Sequence, residues 1–377
     1  DFENLDLEYT LGLLPLTAAK GRFSLDNEVI RAEIEEGMIS GLSVRNGVLQ
    51  VDDVFTKNSG AVDIDADVSG DLKNVIDYLQ VERVRGRLDY DFQRDKIEGE
   101  TEFKLEVDFP TAEEIPFETV GFKADGVIRE AYWPDALQNL PLRGGPFQIR
   151  VTSDEIELRG GGFVGSAPAN IHWHEYFDAD EKQRPYETRV KADVVTNDAF
   201  RKNLGIGLED YISGELPVDV IYRSPVGSSS EAIVNGDITP ASITIDELMY
   251  QKSPGTEGGQ FAFNARFVDG QIRQIRELTL ASNDFKMANG QLSFIQKNNE
   301  SVLSAGEIQS VFLQENDIAR LAFEITPEDV LKLKINGKFL DGRWFLQNQE
   351  KEEEDDDDLP QAKIISLDFE RVRTDPA

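Results

Sequence analysis

Residues 61–68 read Ala-Val-Asp-Ile-Asp-Ala-Asp-Val, and residues 103–107 read Phe-Lys-Leu-Glu-Val. In both stretches apolar and charged residues alternate one for one. Successive residues of a strand point to opposite faces, so each stretch is a strand with one apolar face and one wet face. The same alternation recurs at Phe147, Ile149 and Val151, and at Phe261, Phe263, Ala265 and Phe267. Between such segments stand Gly, Asn and Asp. In the first fifty residues, turns are expected at Asp26-Asn27, Glu36-Gly37 and Asn46-Gly47, Asn-Gly being the strongest short hairpin signal. The pattern predicts on the order of 20 strands, which at ~4.8 Å spacing would stack to roughly 100 Å in one sheet. An open sheet of that size curls or splits into two layers. The expected fold class is therefore mainly β, a long twisted antiparallel sheet whose apolar face must be covered by a second sheet or by a ligand.

Two short helices interrupt the strands. Leu72, Val75, Ile76 and Leu79 fall at helical spacing, giving a helix near 71–80 with Asp71 as its cap. Phe200, Leu204, Leu208 and Tyr211 or Ile212 suggest a second helix near 197–212, weakened by Gly205 and Gly207. The chain divides on this reading into an N-terminal β segment (1–81), a middle β segment ending in the second helix (82–213) and a third β segment (214–346). An acidic linker or loop (347–360) follows, containing KEEEDDDD at 351–358, and 361–377 starts a further strand, read as the opening of another unit.

Composition narrows the function classes. The formal charge of −33 argues against a nucleic-acid partner, which needs clustered Lys and Arg, and against docking on an anionic membrane surface. With no cysteine, disulfides, thiolate zinc sites and thiol catalysis are excluded. No apolar run reaches the length of a membrane span, and no signal peptide is present. The chain begins at Asp1 rather than Met and reads as an excised piece of something larger; if an anchor or export signal exists, it lies upstream.

Catalytic and metal motifs are sparse. His172 and His174, in His-Trp-His-Glu-Tyr-Phe, share one face of a strand with Tyr176 and could begin a metal site. No third histidine exists to complete it, and sequence assigns no carboxylate ligand, so the pair reads as the polar tips of an aromatic strand and no metal is expected. Asp63, Asp65 and Asp67 superficially resemble a calcium loop, but the positions for the loop's Gly and bidentate Glu hold Val68 and Asn74. The run Gly160–Gly165 lacks the Lys-Ser/Thr of a phosphate loop, and its glycines suggest a bulge or a close backbone approach. No Gly-x-Ser-x-Gly occurs. Some carboxylate pair must lie close in so acidic a chain, yet nothing singles one out for glycosidase chemistry. The reading is a chain without enzyme activity or cofactor. A binding site for hydrocarbon needs only apolar area, at about 25 cal/mol per Å² removed from water, and leaves no motif.

The third segment carries a likeness to a known family. Gly214–Pro217 (Gly-Glu-Leu-Pro), Gly236–Thr239 (Gly-Asp-Ile-Thr), Lys252–Gly255 (Lys-Ser-Pro-Gly) and Gly337–Arg343 (Gly-Lys-Phe-Leu-Asp-Gly-Arg) resemble the C-terminal region of AsmA-like envelope proteins, most closely the YhdP type. Tyr132–Leu137 (Tyr-Trp-Pro-Asp-Ala-Leu) resembles the family's recurring Trp-Pro strand. The likeness covers about Val120 to Leu346 well and the first segment in style only. It implies a repeating β-groove, a long twisted antiparallel sheet curled into an open apolar groove, that is anchored in the inner membrane, extends through the periplasm and passes phospholipids toward the outer membrane. The partners it implies are phospholipid acyl chains, with membrane proteins at the two ends of the full-length chain. Candidate groove residues are Phe147, Ile149, Val151, Phe261, Phe263, Phe267, Leu321, Phe323, Leu331 and Leu333. The alternative is a structural β scaffold with a closed core that assists outer-membrane assembly or integrity. A carbohydrate-active β enzyme is a third, weaker reading.

Overall fold

The computed structural model describes residues 1–8, 14–56, 60–79, 94–112, 115–116, 119–137, 140–177, 185–204, 210–246, 250–256, 258–297, 300–328, 330–343 and 362–374. The protein is mainly β. Twenty-one strands belong to one long mixed sheet, which is open rather than a closed barrel, and three form a small second sheet. The chain divides into two compact units, Asp1–Val190 and Lys191–Ala377.

The first unit is a meander. Its strands are β1 (Phe2–Leu7), β2 (Leu16–Asp26), β3 (Val29–Ile39), β4 (Leu42–Val51) and β5 (Ala61–Asp71), then β6 (Glu98–Pro110), β7 (Gly121–Leu137), β8 (Leu140–Thr152), β9 (Glu155–Val164) and β10 (Ala167–Tyr176). Each pairs antiparallel with the next. Helix α1 (Leu72–Leu79) leaves β5 directly and packs buried Leu72 and Ile76 against Ile128, Phe147 and Leu158. Asp63, Asp65 and Asp67 are exposed on the wet face of β5, as the alternation requires.

Two of the expected turns are not turns. Asp26-Asn27 does open one, but Glu36-Gly37 lies inside β3 and Asn46-Gly47 inside β4, and the chain reverses at Ser40-Gly41 instead. Asn46 is a bulge residue. Its φ is +50°, the register of β4 against β5 shifts between Arg45 and Val48, and its side-chain amide donates to Asp67 Oδ2 at 2.9 Å. Asn tolerates the left-handed region, so the same dipeptide that closes a hairpin can absorb an extra residue within a strand. Positive φ at Asn4, Ala18, Glu130, Glu277 and Asn289 coincides with register shifts in the same way. Such bulges increase local twist.

Strand β11 (Tyr186–Thr196) spans the boundary between the units. In the second unit, α2 covers only Asp198–Asn203, capped by Asn197 Oδ1, which accepts from the Phe200 N–H at 2.9 Å. The expected helix to 212 is therefore too long. Ile212 belongs to β12 (Ile212–Ser213), where this β-branched residue pairs with Ile243, while Leu208 lies outside the described residues. The acidic run 351–358 also lies outside them.

The main-sheet strands of this unit are β13 (Leu216–Pro225), β14 (Ser230–Asp237), β17 (Gly259–Val268), β18 (Gln271–Ser282), β19 (Phe285–Lys297), β20 (Glu300–Ile308), β21 (Ser310–Leu313), β22 (Asn316–Ile325) and β23 (Val330–Asp341). They pair antiparallel in sequence order, with β20 and β21 both bridging β19 to β22. The last strand, β24 (Ala362–Arg373), pairs parallel with β23 from Val330↔Ala362 to Asp341↔Arg373. It joins this unit rather than opening another. Between β14 and β17 the chain leaves the sheet to form β15 (Ser242–Ile245) and β16 (Tyr250–Lys252), which with β12 make the second sheet.

Lys252 holds this excursion in place. Only 2% exposed, its ammonium donates to the carbonyls of Ala241 at 2.9 Å, Thr239 at 3.1 Å and Ser253 at 3.4 Å. Lys252→Met would remove the donor from the buried Ala241 carbonyl, at about 1–3 kcal/mol for an unsatisfied group. Thermal melts should show a lower Tm for this variant, and an unchanged Tm would contradict the role.

Candidate functional site

Direct partners on neighbouring strands stand on the same face of a sheet. In the second unit this places Tyr222, Ala232, Ala265, Ile275 and Leu292 in one row across β13, β14, β17, β18 and β19. The row continues through Gly306, Phe323, Leu333 and Ile365 on β20, β22, β23 and β24. Nine strands thus contribute only apolar residues, Tyr and Gly. One residue away, on the opposite face, the partners are Arg223, Glu231, Arg266, Gln274 and Ser293. Arg320 and Glu307 form a two-pronged pair at 3.1 and 2.8 Å on exposed surface.

The first unit repeats the arrangement. Gly37, Val44, Val68, Phe103, Gly126, Ile149, Leu158 and Trp173 form a row across β3 to β10. Its wet counterpart runs Arg45, Asp67, Lys104, Asp125, Arg150, Glu157 and His174. Glycines sit where rings lie flat on the apolar face. A Cβ at Gly306 would overlap the Phe323 ring, and one at Gly236 the Phe261 ring. The glycines at 160 and 162 likewise admit the Phe147 ring, which explains that glycine-rich run.

Each apolar face is covered over part of its area. In the second unit the small sheet lays Ile243 and Tyr250 against Phe285, Leu313, Ile318 and Ile335, with Phe261, Leu321 and Leu333 packed at the margin of that core. Phe263, Phe267, Phe323 and Leu331 are half-buried and stand outside that cluster among the described residues. Phe263 stacks on Phe261 at 6.3 Å, and Phe267 meets Tyr222 edge-on at 6.2 Å. At the β24 side, Ile365 and Leu367 are 47% and 46% exposed. In the first unit α1 buries Phe147 completely and packs against Ile149 at its margin. Val151 lies farther along the face, half-buried between Ala124 and Ile156. Of the candidate groove residues, then, Phe147 has no exposed surface, while Val151, Phe263, Phe267, Phe323 and Leu331 keep part of theirs.

The short motifs behind the family likeness are structural. Lys252 anchors the small sheet. Asp341 accepts from Arg343 Nε at 2.8 Å and Nη2 at 2.6 Å, while its N–H donates to buried Asn316 Oδ1 at 2.7 Å. Arg343 and, more weakly, Arg373 hold the Asp341 carboxyl below the usual range. Gly214, at φ +92°, donates its N–H to Asp198. Desolvation, together with the neighbouring Asp193 carboxylate, raises the pKa of Asp219, and both side chains are exposed. His172 and His174 lie on the wet face of β10, beside Glu157 of β9.

Glu175 is an acid on the apolar face. It stands opposite Ile156, in a row with Ala66, Leu105, Ala124 and Val151. Burial pushes its carboxyl above the usual glutamate range, against hydrogen bonds from Thr188 (2.8 Å) and Trp173 that favour the charged form. A raised folded-state pKa means that the folded chain binds the proton more readily than the unfolded one. Stability therefore falls as pH rises from the ordinary glutamate range through the raised value. Glu175→Gln should melt above the parent at pH 7, with the gap closing below ~pH 4. An equal gap at both pH values would contradict this.

Fold and face together define a protein built on an open β sheet whose apolar side is partly covered in each unit. The family model described as YhdP protein matches residues 1–341, and the chain belongs to the YhdP family, within the AsmA-like group. The match reaches the first residue, beyond the likeness read from the third segment. That family is a family of cell-envelope proteins. Among the described residues, no helix is long and apolar enough to cross a membrane. A search of curated proteins finds no match, and neither does a search of solved structures.

Proposed function

We propose that this chain is a passive phospholipid conduit or carrier, acting in the periplasm between the inner and outer membranes of a double-membraned bacterium. Acyl chains would lie along the apolar face as in a groove, with membrane proteins as partners at the ends of the full-length chain. The observation that carries this reading is the unbroken apolar row from Tyr222 to Ile365, part of which stands outside the core closed by the small sheet among the described residues. Each methylene moved from water to such a face gains about 0.8 kcal/mol. The contact has no fixed hydrogen bonds, so it holds hydrocarbon without fixing it at one position, and no catalytic group is required. Membership of a cell-envelope family supports the same reading.

The scaffold reading draws support from one observation: α1 and the small sheet close parts of the face into ordinary core. The two readings differ at Phe263 and Phe323. Phe263→Asp and Phe323→Asp should each lower co-purifying phospholipid at least about tenfold, the equivalent of 1.4 kcal/mol, with an unchanged circular dichroism spectrum. Full lipid retention in folded variants would favour the closed-core scaffold.

A further inference from the structure

We propose that Glu157, His172 and His174 form a binding site for a first-row divalent transition metal, with zinc the cation their donor set fits best. The site stands on the wet face of β9 and β10, apart from the apolar surface, and does not depend on the lipid reading.

Three donor atoms converge there. His172 Nε2 lies 2.7 Å from Glu157 Oε1, His174 Nε2 lies 3.3 Å from the same oxygen, and the two ring nitrogens are 3.0 Å apart. Zinc binds imidazole nitrogen and carboxylate oxygen at about 2.0–2.2 Å. Bonds of that length put neighbouring ligand atoms ~2.9 Å apart in octahedral and ~3.4 Å apart in tetrahedral geometry. All three edges of the triangle lie close to that range, so a cation slightly above its plane would meet all three atoms. Two imidazoles and one carboxylate on one side of a metal leave its remaining positions open.

Without a cation, no arrangement of neutral imidazoles and an ionised carboxylate pairs all three edges of the triangle. A neutral imidazole nitrogen carries either a proton or a lone pair, and an ionised carboxylate oxygen only accepts. If both Nε2 atoms are protonated, two N–H groups face each other. If one is, the other ring's lone pair faces the carboxylate oxygen. If neither is, every edge sets lone pair against lone pair. A cation resolves all three edges together.

The surroundings suit a built site. Across β9 and β10 the pairing runs from Ala167↔Val164 to Tyr176↔Glu155 without a register shift, so the ligands stand on regular backbone. Tyr176 Oη lies 3.1 Å from His174 Nδ1, and in the tautomer with Nδ1 protonated the phenol oxygen accepts that N–H and Nε2 is left for the metal. Arg150, opposite Glu157 on β8, turns its guanidinium to Asp125 at 2.6 Å. The side chains of His172, His174 and Glu157 are 44%, 24% and 19% exposed, open enough for a cation and its waters to enter. Sequence alone left the third ligand unassigned because Glu157 lies on the preceding strand, and only the register brings it alongside His174.

The chain has only two histidines, so its imidazole resonances report this site alone. The test is zinc titration of the chelator-stripped 377-residue chain, followed by calorimetry and by side-chain ¹⁵N NMR. One equivalent of zinc should move the Nε2 resonances of both histidines. Affinity should fall at least about 100-fold in His172→Ala and His174→Ala, and measurably in Glu157→Gln. Zinc that binds while both imidazole resonances stay in place, or that binds the His172→Ala/His174→Ala double variant as tightly as the parent, would overturn the site. No zinc uptake by the parent would do the same.

Discussion

The constraint on which this structure depends is the two-residue period of a strand carried through long runs of antiparallel register. Because each residue's partner shares its face, one alternating segment hands its pattern to the next. A row such as Val68, Phe103, Gly126, Ile149 and Leu158 follows from that rule and nothing else. The consequence is a sheet with an apolar side and a charged side. The excess of acids stays on the wet side, where Lys and Arg interleave with it, as in Asp67, Lys104, Asp125 and Arg150. What remains to be satisfied is the apolar side. The fold meets this partly with its own elements, α1 in one unit and the three-stranded sheet in the other.

The strands were legible because alternation is local. Phe261, Phe263, Ala265 and Phe267 can be assigned to one side without knowing any partner, and the structure puts them there. α1 was legible for the same reason, its 3.6-residue spacing standing out between strands. What depends on partners was not legible. Asn46-Gly47 carries hairpin chemistry, yet the flanking strand runs on through it and the turn falls at Ser40-Gly41. Ser242–Ile245 reads like any other strand, and nothing in its own residues says that it leaves the main sheet to pair with β12 and β16. The second helix stops at Asn203 although apolar spacing continues to Ile212, which pairs in a strand instead.

The same division holds for the site. Which residues are apolar and face together could be read off, but which of them stay uncovered could not. Phe147 and Phe263 look equivalent in sequence, yet α1 closes over the first and no comparable element closes over the second among the described residues. The family likeness rests on short motifs whose residues hold turns: Lys252 on three carbonyls, Asp341 between Asn316 and Arg343. They identify the architecture rather than a chemistry. That is consistent with a protein whose working surface is defined by area and not by a constellation of polar groups.

The central claim is that the uncovered apolar face is a site for hydrocarbon. Native mass spectrometry of the purified chain, with lipid extraction from the same sample, tests it most directly. The account predicts phospholipid bound at one or more copies per chain, released on denaturation and identified in the extract. A clean lipid-free mass that stays unchanged when phospholipid is added would contradict it.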